Sequence, residues 1–368
     1  MRRGRKCSLR NSMDIVRPAI SALAGYVPGE QPQAGDWIKL NTNENPYPAS
    51  PRVAEAVQAA LDCGLQVYPD PHATSFRKAA AEVYDIDPDW ILPANGSDEN
   101  LTILLRTFVD PHETISFPYP GYVLYQILGG IQGSKVEPLL FDESWKLREE
   151  SRSAASEHKL VLVPNPNSPS GTLMSESELT ELLPDVGLLV LDGAYADFAD
   201  TPQSPGFIQG DLIHRVVMTR TLSKSYSLAG LRFGFVIAHP DLVAEMGKVK
   251  DSYNCDSLAI AAATAAIQDQ EWMLSNRTKI LATRTRAEQA FSELGFEVTP
   301  SQANFLWMTH SSGEHKRIYE QLKDRRILIR YMQFPLVKRG DTDFDGLRVS
   351  IGTDEQIDTL LNTLREIL

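Results

Sequence analysis

Three short runs made only of apolar residues, 160–163 (LVLV), 188–191 (LLVL) and 216–218 (VVM), mark the middle of the chain. Runs of this length, rich in leucine and valine, suit strands covered on both faces. Helical spacing intervenes: Leu101, Leu104, Leu105 and Phe108 recur on one face, and Ser175 with Glu178 three positions on is a capping-box start. The alternation predicts an α/β protein whose large domain is a mostly parallel sheet covered by helices. Ligands of such sheets bind beyond the carboxyl ends of the strands, so the loops after these runs are where the chemistry is to be sought.

The last third changes character. Strands are expected at 296–298, 305–308, 327–329 and 347–351, with helices at 316–323 and 354–367, making a smaller α+β domain. Boundaries follow: a basic tail at 1–13, an arm at 14–50, a large domain at 51–270 and a small domain at 271–368. The tail has no acids and no apolar core, so it reads as a disordered extension rather than a signal peptide. Pro18, Pro28 and Pro32 argue against helix in the arm.

A net charge of −12 argues against nucleic acid or an anionic membrane as partner, and no apolar run is long enough to span a bilayer. Cys7, Cys63 and Cys255 are odd in number and far apart, which gives no disulfide framework and suits a reducing cytoplasm. The histidines show no paired spacing, so no metal is expected.

The stretch 219–234 (TRTLSKSYSLAGLRFG) follows the third apolar run. A lone lysine is ordinarily a solvated surface residue. Held in a loop at a strand end, Lys224 is instead a candidate Schiff-base former, and Arg232 a short loop away can hold an anion. No glycine precedes the Lys-Ser pair at Walker spacing, which excludes that phosphate loop.

Four other junctions keep it company. Residues 95–99 (NGSDE) open a helix, where free N–H groups and Gly96 allow a phosphate cup; Ser97 or Asp98 can equally serve as an ordinary cap, and Asp98 is expected mainly to turn back in that way. Tyr122, in PYPGY, can stack on a flat ring or pack in the core. Asp192, ending an apolar strand just before Tyr195, needs a partner such as a pyridinium N–H, unless it caps a helix. Asn167 in NPNSPSG can donate to a ring phenolate.

In order and spacing these motifs, with LNTNENP at 40–46, YPD at 68–70, LDGAY at 191–195 and LRVSIGT at 347–353, resemble the fold-type I pyridoxal-phosphate aminotransferases over nearly the whole chain after the tail. The resemblance implies a large domain with a sheet of the seven-stranded type. It implies pyridoxal 5′-phosphate bound to Lys224, with Asp192 on the ring nitrogen, Tyr195 and Asn167 on the 3′-oxygen and Tyr122 stacked on the ring. Ser223, Arg232 and the Gly96-Ser97-Asp98 backbone would hold the phosphate, joined by Tyr68 from a second subunit of a homodimer with shared sites. Arg348, Arg330, Tyr26 and Asn43 would hold the substrate.

Within the family the likeness is to the branch that transaminates histidinol phosphate with a 2-oxo acid. Aromatic aminotransferases, a phosphothreonine-type decarboxylase and an inactive cofactor-binding protein are the alternatives. Ser168 and Ser170 stand where the family more often has asparagine and threonine, and Gly193 stands for the usual glutamate.

Overall fold

The computed structural model describes residues 15–25, 28–32, 35–201, 204–339 and 342–368; the expected tail at 1–13 lies outside them. The strands are β1 (Ile38–Lys39), β2 (Ile91–Ala94), β3 (Thr114–Tyr119), β4 (Lys135–Leu140), β5 (Leu160–Pro164), β6 (Leu188–Asp192), β7 (Val216–Thr221), β8 (Gly234–Ile237), β9 (Phe296–Thr299), β10 (Phe305–His310), β11 (Ile327–Leu328), β12 (Arg330–Arg339) and β13 (Thr342–Ser350). The helices are α1 (Pro18–Ser21), α2 (Pro51–Asp62), α3 (Thr74–Tyr84), α4 (Ser97–Phe108), α5 (Leu124–Gln132), α6 (Glu149–Ala155), α7 (Glu176–Thr180), α8 (Pro240–Val249), α9 (Ser257–Gln268), α10 (Gln270–Glu293), α11 (His315–Asp324) and α12 (Asp354–Ile367).

The three apolar runs form β5, β6 and β7 at the centre of a seven-stranded sheet of order β2-β8-β7-β6-β5-β3-β4. From β7 through β4 the neighbours are parallel, and β8 runs against both β7 and β2. Every residue of β5, β6 and β7 is buried, because helices cover both faces. One face packs on Phe76, Phe233, Phe235 and the α9 alanines, the other on Leu101, Leu104 and Tyr125.

A four-stranded antiparallel sheet of order β12-β13-β10-β9 carries the smaller domain. Strand alternation sorts its side chains: Leu306, Met308, Leu347 and Val349 pack on α10, α11 and α12, while Trp307 joins Phe334 and Phe344 on the other side. Arg348 and Ser350 alternate with Leu347 and Val349, so they face away from that helical core.

Three expectations change. Pro18 does not prevent a helix but starts α1, since its missing N–H is harmless at the first helical position. The arm is not wholly irregular: β1 pairs parallel with β11, and Leu40 bonds both Leu328 and Ser350 through its backbone. β12 and β13 pair antiparallel, in a stretch where proline and charged residues hid them. Their register shifts between Phe334 and Lys338, around Pro335, where a ladder donor is missing. Among the described residues no helix is long and apolar enough to cross a membrane.

Candidate active site

The stretch carrying Lys224 connects two antiparallel neighbours. Thr221 pairs with Gly234, and Leu222 N–H donates to Phe233 O at 3.0 Å, closing the loop. Lys224 and Arg232 therefore share one end of the sheet. A cavity of about 720 Å³ opens there, between the carboxyl ends of β5, β6 and β7 and the face of β12 and β13 that bears Arg330 and Arg348.

Asp192 ends β6 and is buried. Its carboxylate accepts from Tyr125 Oη at 2.7 Å, Thr219 Oγ1 at 3.2 Å and the Ala194 N–H at 3.1 Å. Burial holds its pKa above the ordinary carboxylate range, with the three donors acting in opposition. The same burial pushes the Tyr125 phenol well above its usual value. An acid placed so is stabilised by a cation that reaches it from the cavity.

The anion end is built on α4. Gly96 is its N-cap, at φ +90° and without a side-chain cap. A Cβ at Gly96 would lie 2.7 Å from Arg232 Nη2, so glycine lets the guanidinium close over the helix start. Arg232 Nη1 donates to Ser223 Oγ at 3.4 Å, and Nη2 reaches Asp98 Oδ2 at 3.5 Å. Asp98 does not turn back to cap, contrary to expectation. It stands at the second helical position and accepts from Tyr122 Oη at 3.1 Å, while Glu99, one residue on, takes the Asn95 N–H.

Ser97, Asp98, Tyr122, Asp192, Tyr195, Ser223, Lys224, Arg232, Arg330 and Arg348 all line this cavity, as does Asn43. Lys224 Nζ donates to Thr42 O at 3.0 Å and stands 5.8 Å from the centre of the Tyr195 ring. Arg348 donates from Nη1 to Ser168 Oγ at 3.0 Å and from Nη2 to Asn41 O at 2.9 Å, with Phe305 beneath it.

Two expected residues stand elsewhere, and a third is not among the described residues. Asn167 is buried beneath its loop, its Nδ2 given to Ser170 Oγ at 2.8 Å and Pro120 O at 3.3 Å; Ser168, next in the chain, is the one that faces the cavity. Tyr68 is 78% exposed, stacked on Tyr253 at 4.4 Å and outside this chain's own cavity. Tyr26 lies outside the described residues.

Sequence reasoning missed the residues that hold the site in place. Thr42 meets Lys224, Asn45 Nδ2 donates to both Lys224 O and Ser225 O, and Tyr125 and Thr219 fasten Asp192. Tyr125 carried a usable signal, three residues after Tyr122 and in the first turn of α5. Thr219 sits opposite Asp192 in the β6–β7 register, which only the assembled sheet reveals. His214, His239 and Asp241 bring possible ligand atoms within 4.8 Å of one another but do not line the cavity.

An amine, a buried acid and a helix-start cup closed by arginine fit one kind of group: a basic heteroaromatic ring bearing an aldehyde and a phosphate. The family model for aminotransferase class I and II matches residues 35–364. Histidinol-phosphate aminotransferase of Rhodopirellula baltica is 50% identical over 348 residues, covering 94% of this chain and 93% of that protein. Its counterpart in Syntrophotalea carbinolica is 42% identical over 360 residues, covering 96% and 100%. Among solved structures, histidinol-phosphate aminotransferase of Sinorhizobium meliloti in complex with pyridoxal-5′-phosphate superposes with a TM-score of 0.83 at 23% identity, covering 96% of this chain and 98% of that one. The chain belongs to the class I and II aminotransferases, a family that works with pyridoxal 5′-phosphate.

Proposed function

We propose that the protein transfers the amino group of L-histidinol phosphate to 2-oxoglutarate, giving imidazole acetol phosphate and glutamate, a step of histidine biosynthesis. The observation that carries this reading is the facing pair Arg330 and Arg348 in the cavity lining. Two guanidinium groups there suit substrates that each bring a strong anion, a phosphate monoester in one half-reaction and a dicarboxylate in the other. The curated relatives that cover nearly the whole chain are named for the same reaction.

Bound pyridoxal phosphate supplies an electrophilic aldehyde and a ring that takes up the electron pair left when a substrate C–H bond breaks. Asp192, at the cavity wall, would hold the ring nitrogen and favour its protonated form. The start of α4 at Gly96 and Ser97, with Ser223 and Arg232, would hold the phosphate, and Asp98 bonds both Tyr122 and Arg232 beside it. Tyr195 and Ser168, which line the cavity, would present hydroxyls to the phenolic oxygen; Asn167, expected in that place, gives its Nδ2 to Ser170 Oγ and Pro120 O. Lys224 Nζ accepts the proton from the substrate carbon that bears the amine and later delivers it.

The reading carries further proposals. The chain works as a homodimer in which Tyr68 completes the partner's phosphate site, and it works in the cytoplasm. The bodies divide near residue 270, where α9 ends in the large sheet's core and α10 runs on into the smaller domain. Donor comparison tests the function: with 2-oxoglutarate as acceptor, histidinol phosphate should be turned over far faster than phenylalanine, without release of carbon dioxide. Equal or better rates with phenylalanine contradict it.

A further inference from the structure

The loop at 41–45 bonds to Arg348, Lys224 and Tyr195 in the cavity wall, and its centre is Asn43. This residue is 1% exposed and adopts φ +55°, the left-handed region that asparagine tolerates better than most residues. All four of its polar groups are engaged. Its backbone N–H donates to Ser350 Oγ at 2.8 Å, and its carbonyl accepts from Asn304 Nδ2 at 3.0 Å. Its Oδ1 accepts from Ser350 Oγ at 3.0 Å, and its Nδ2 donates to Tyr195 Oη at 2.9 Å.

The direction of the amide follows from Ser350. That hydroxyl accepts the Asn43 backbone N–H, so it has its own proton left to give. Ser350 is buried, and among the described residues Asn43 Oδ1 is the acceptor within reach. The Asn43 oxygen is thereby held toward Ser350 and its nitrogen toward Tyr195. A phenol that already accepts a hydrogen bond from an amide N–H points its own proton elsewhere. Among the described residues no acceptor takes the Tyr195 proton, and the side chain lines the cavity.

We infer that Asn43 is a positioning residue, one that fixes Tyr195 as a hydrogen-bond donor toward the cavity and ties it to the strand carrying Arg348. The family resemblance implies Asn43 as a substrate contact; within the protein its backbone N–H, carbonyl and Oδ1 are taken, and Nδ2 gives one hydrogen to Tyr195. Ser350 stands two residues from Arg348 on the same face of β13, so one side chain links the anion-gripping strand to the tyrosine beside Lys224. The inference rests on the proposed transaminase reading, in which the acceptor of the Tyr195 proton is the phenolic oxygen of pyridoxal phosphate.

The test is the pH midpoint of the visible-absorbance change of the bound cofactor in the holoenzyme. A donor at the phenolic oxygen stabilises its negative charge, so loss of that donor lets the chromophore keep its proton to higher pH. Asn43→Gly removes the amide and keeps the left-handed backbone; Asn43→Asp keeps the shape and offers Tyr195 an acceptor instead of a donor. Each is expected to raise the midpoint by about one unit, the scale of one hydrogen bond to a charged group. Ser350→Ala, which frees the amide to turn, should move it the same way by less.

The charged and titratable groups around Tyr195 are Lys224, Asp192, Tyr125 and, across the Phe305 ring, Arg348. They are the same in every variant, and only Asn43→Asp adds a charge, which makes Asn43→Gly the deciding member. An unchanged midpoint in Asn43→Gly overturns the inference, as does a shift in Asn43→Gly with none in Asn43→Asp. A wild-type protein that shows no pH-dependent visible band would instead contradict the cofactor reading itself.

Discussion

Arg330 and Arg348 stand directly opposite each other in the antiparallel β12–β13 pair, on the side that faces the cavity. Like charges in that relation repel, and a binding anion relieves the repulsion. Among the described residues Arg330 has no hydrogen-bond or ion-pair partner of its own, whereas Arg348 is held by Ser168 and Asn41. The pair is built for an occupant that each half-reaction replaces.

Arg330→Ala should therefore weaken both substrates. Steady-state kinetics should show kcat/KM falling roughly 10- to 150-fold with histidinol phosphate and also with 2-oxoglutarate, the range for one charge-assisted hydrogen bond. The substrate-free variant should gain a few tenths to about 1 kcal/mol in stability, because the facing charge is gone. A variant that binds both substrates normally would remove the pair from the anion site.

Asp192 links the site to pH. Burial raises its pKa in the folded protein, so the folded state holds this proton more tightly than the unfolded chain. Its contribution to stability is full below the unfolded value of 3.8 and is lost as pH rises toward the folded value. Without cofactor, the wild type should lose Tm relative to Asp192→Asn as pH climbs from about 4 toward neutrality. With pyridoxal phosphate the order should reverse, since the carboxylate then has a cation to meet, and Asp192→Asn should lose most of its activity. Parallel Tm profiles for the two cofactor-free proteins would contradict this account.

Gly234 sets the distance between the Lys224 loop and the start of α4. A Cβ there would lie 2.8 Å from Arg220 O and 2.9 Å from both Gly96 C and Ser97 N, all of them backbone atoms that cannot swing aside. Gly234→Ala should cost about 1–3 kcal/mol in denaturant titration and loosen the cofactor. Gly230→Ala in the same loop, where a Cβ meets nothing within 4 Å, should do neither. Equal effects from the two would remove the close approach as the cause.

Much of this arrangement is legible in the chain itself. β5, β6 and β7 announce themselves as apolar runs because they are buried on both faces, and Lys224, Asp192 and Arg232 stand at their ends or on the loop between β7 and β8. Periodicity says nothing of the β12–β13 pair, where Pro335 and the register shift interrupt the pattern, and so nothing of the facing arginines. The choice between Asn167 and Ser168 turns on which way one loop residue points, information that adjacent polar letters do not carry. Asn43, Thr42 and Asn45 act through hydrogen bonds to residues far along the chain, and long-range partners of that kind exist only once both sheets are assembled.

The account stands on the amine of Lys224. Holoprotein treated with borohydride, digested and mapped by mass spectrometry should carry the reduced cofactor on Lys224 alone, and Lys224→Ala should fold, bind the cofactor without fixing it and lack transaminase activity. Label on another lysine, or normal turnover by Lys224→Ala, would contradict it.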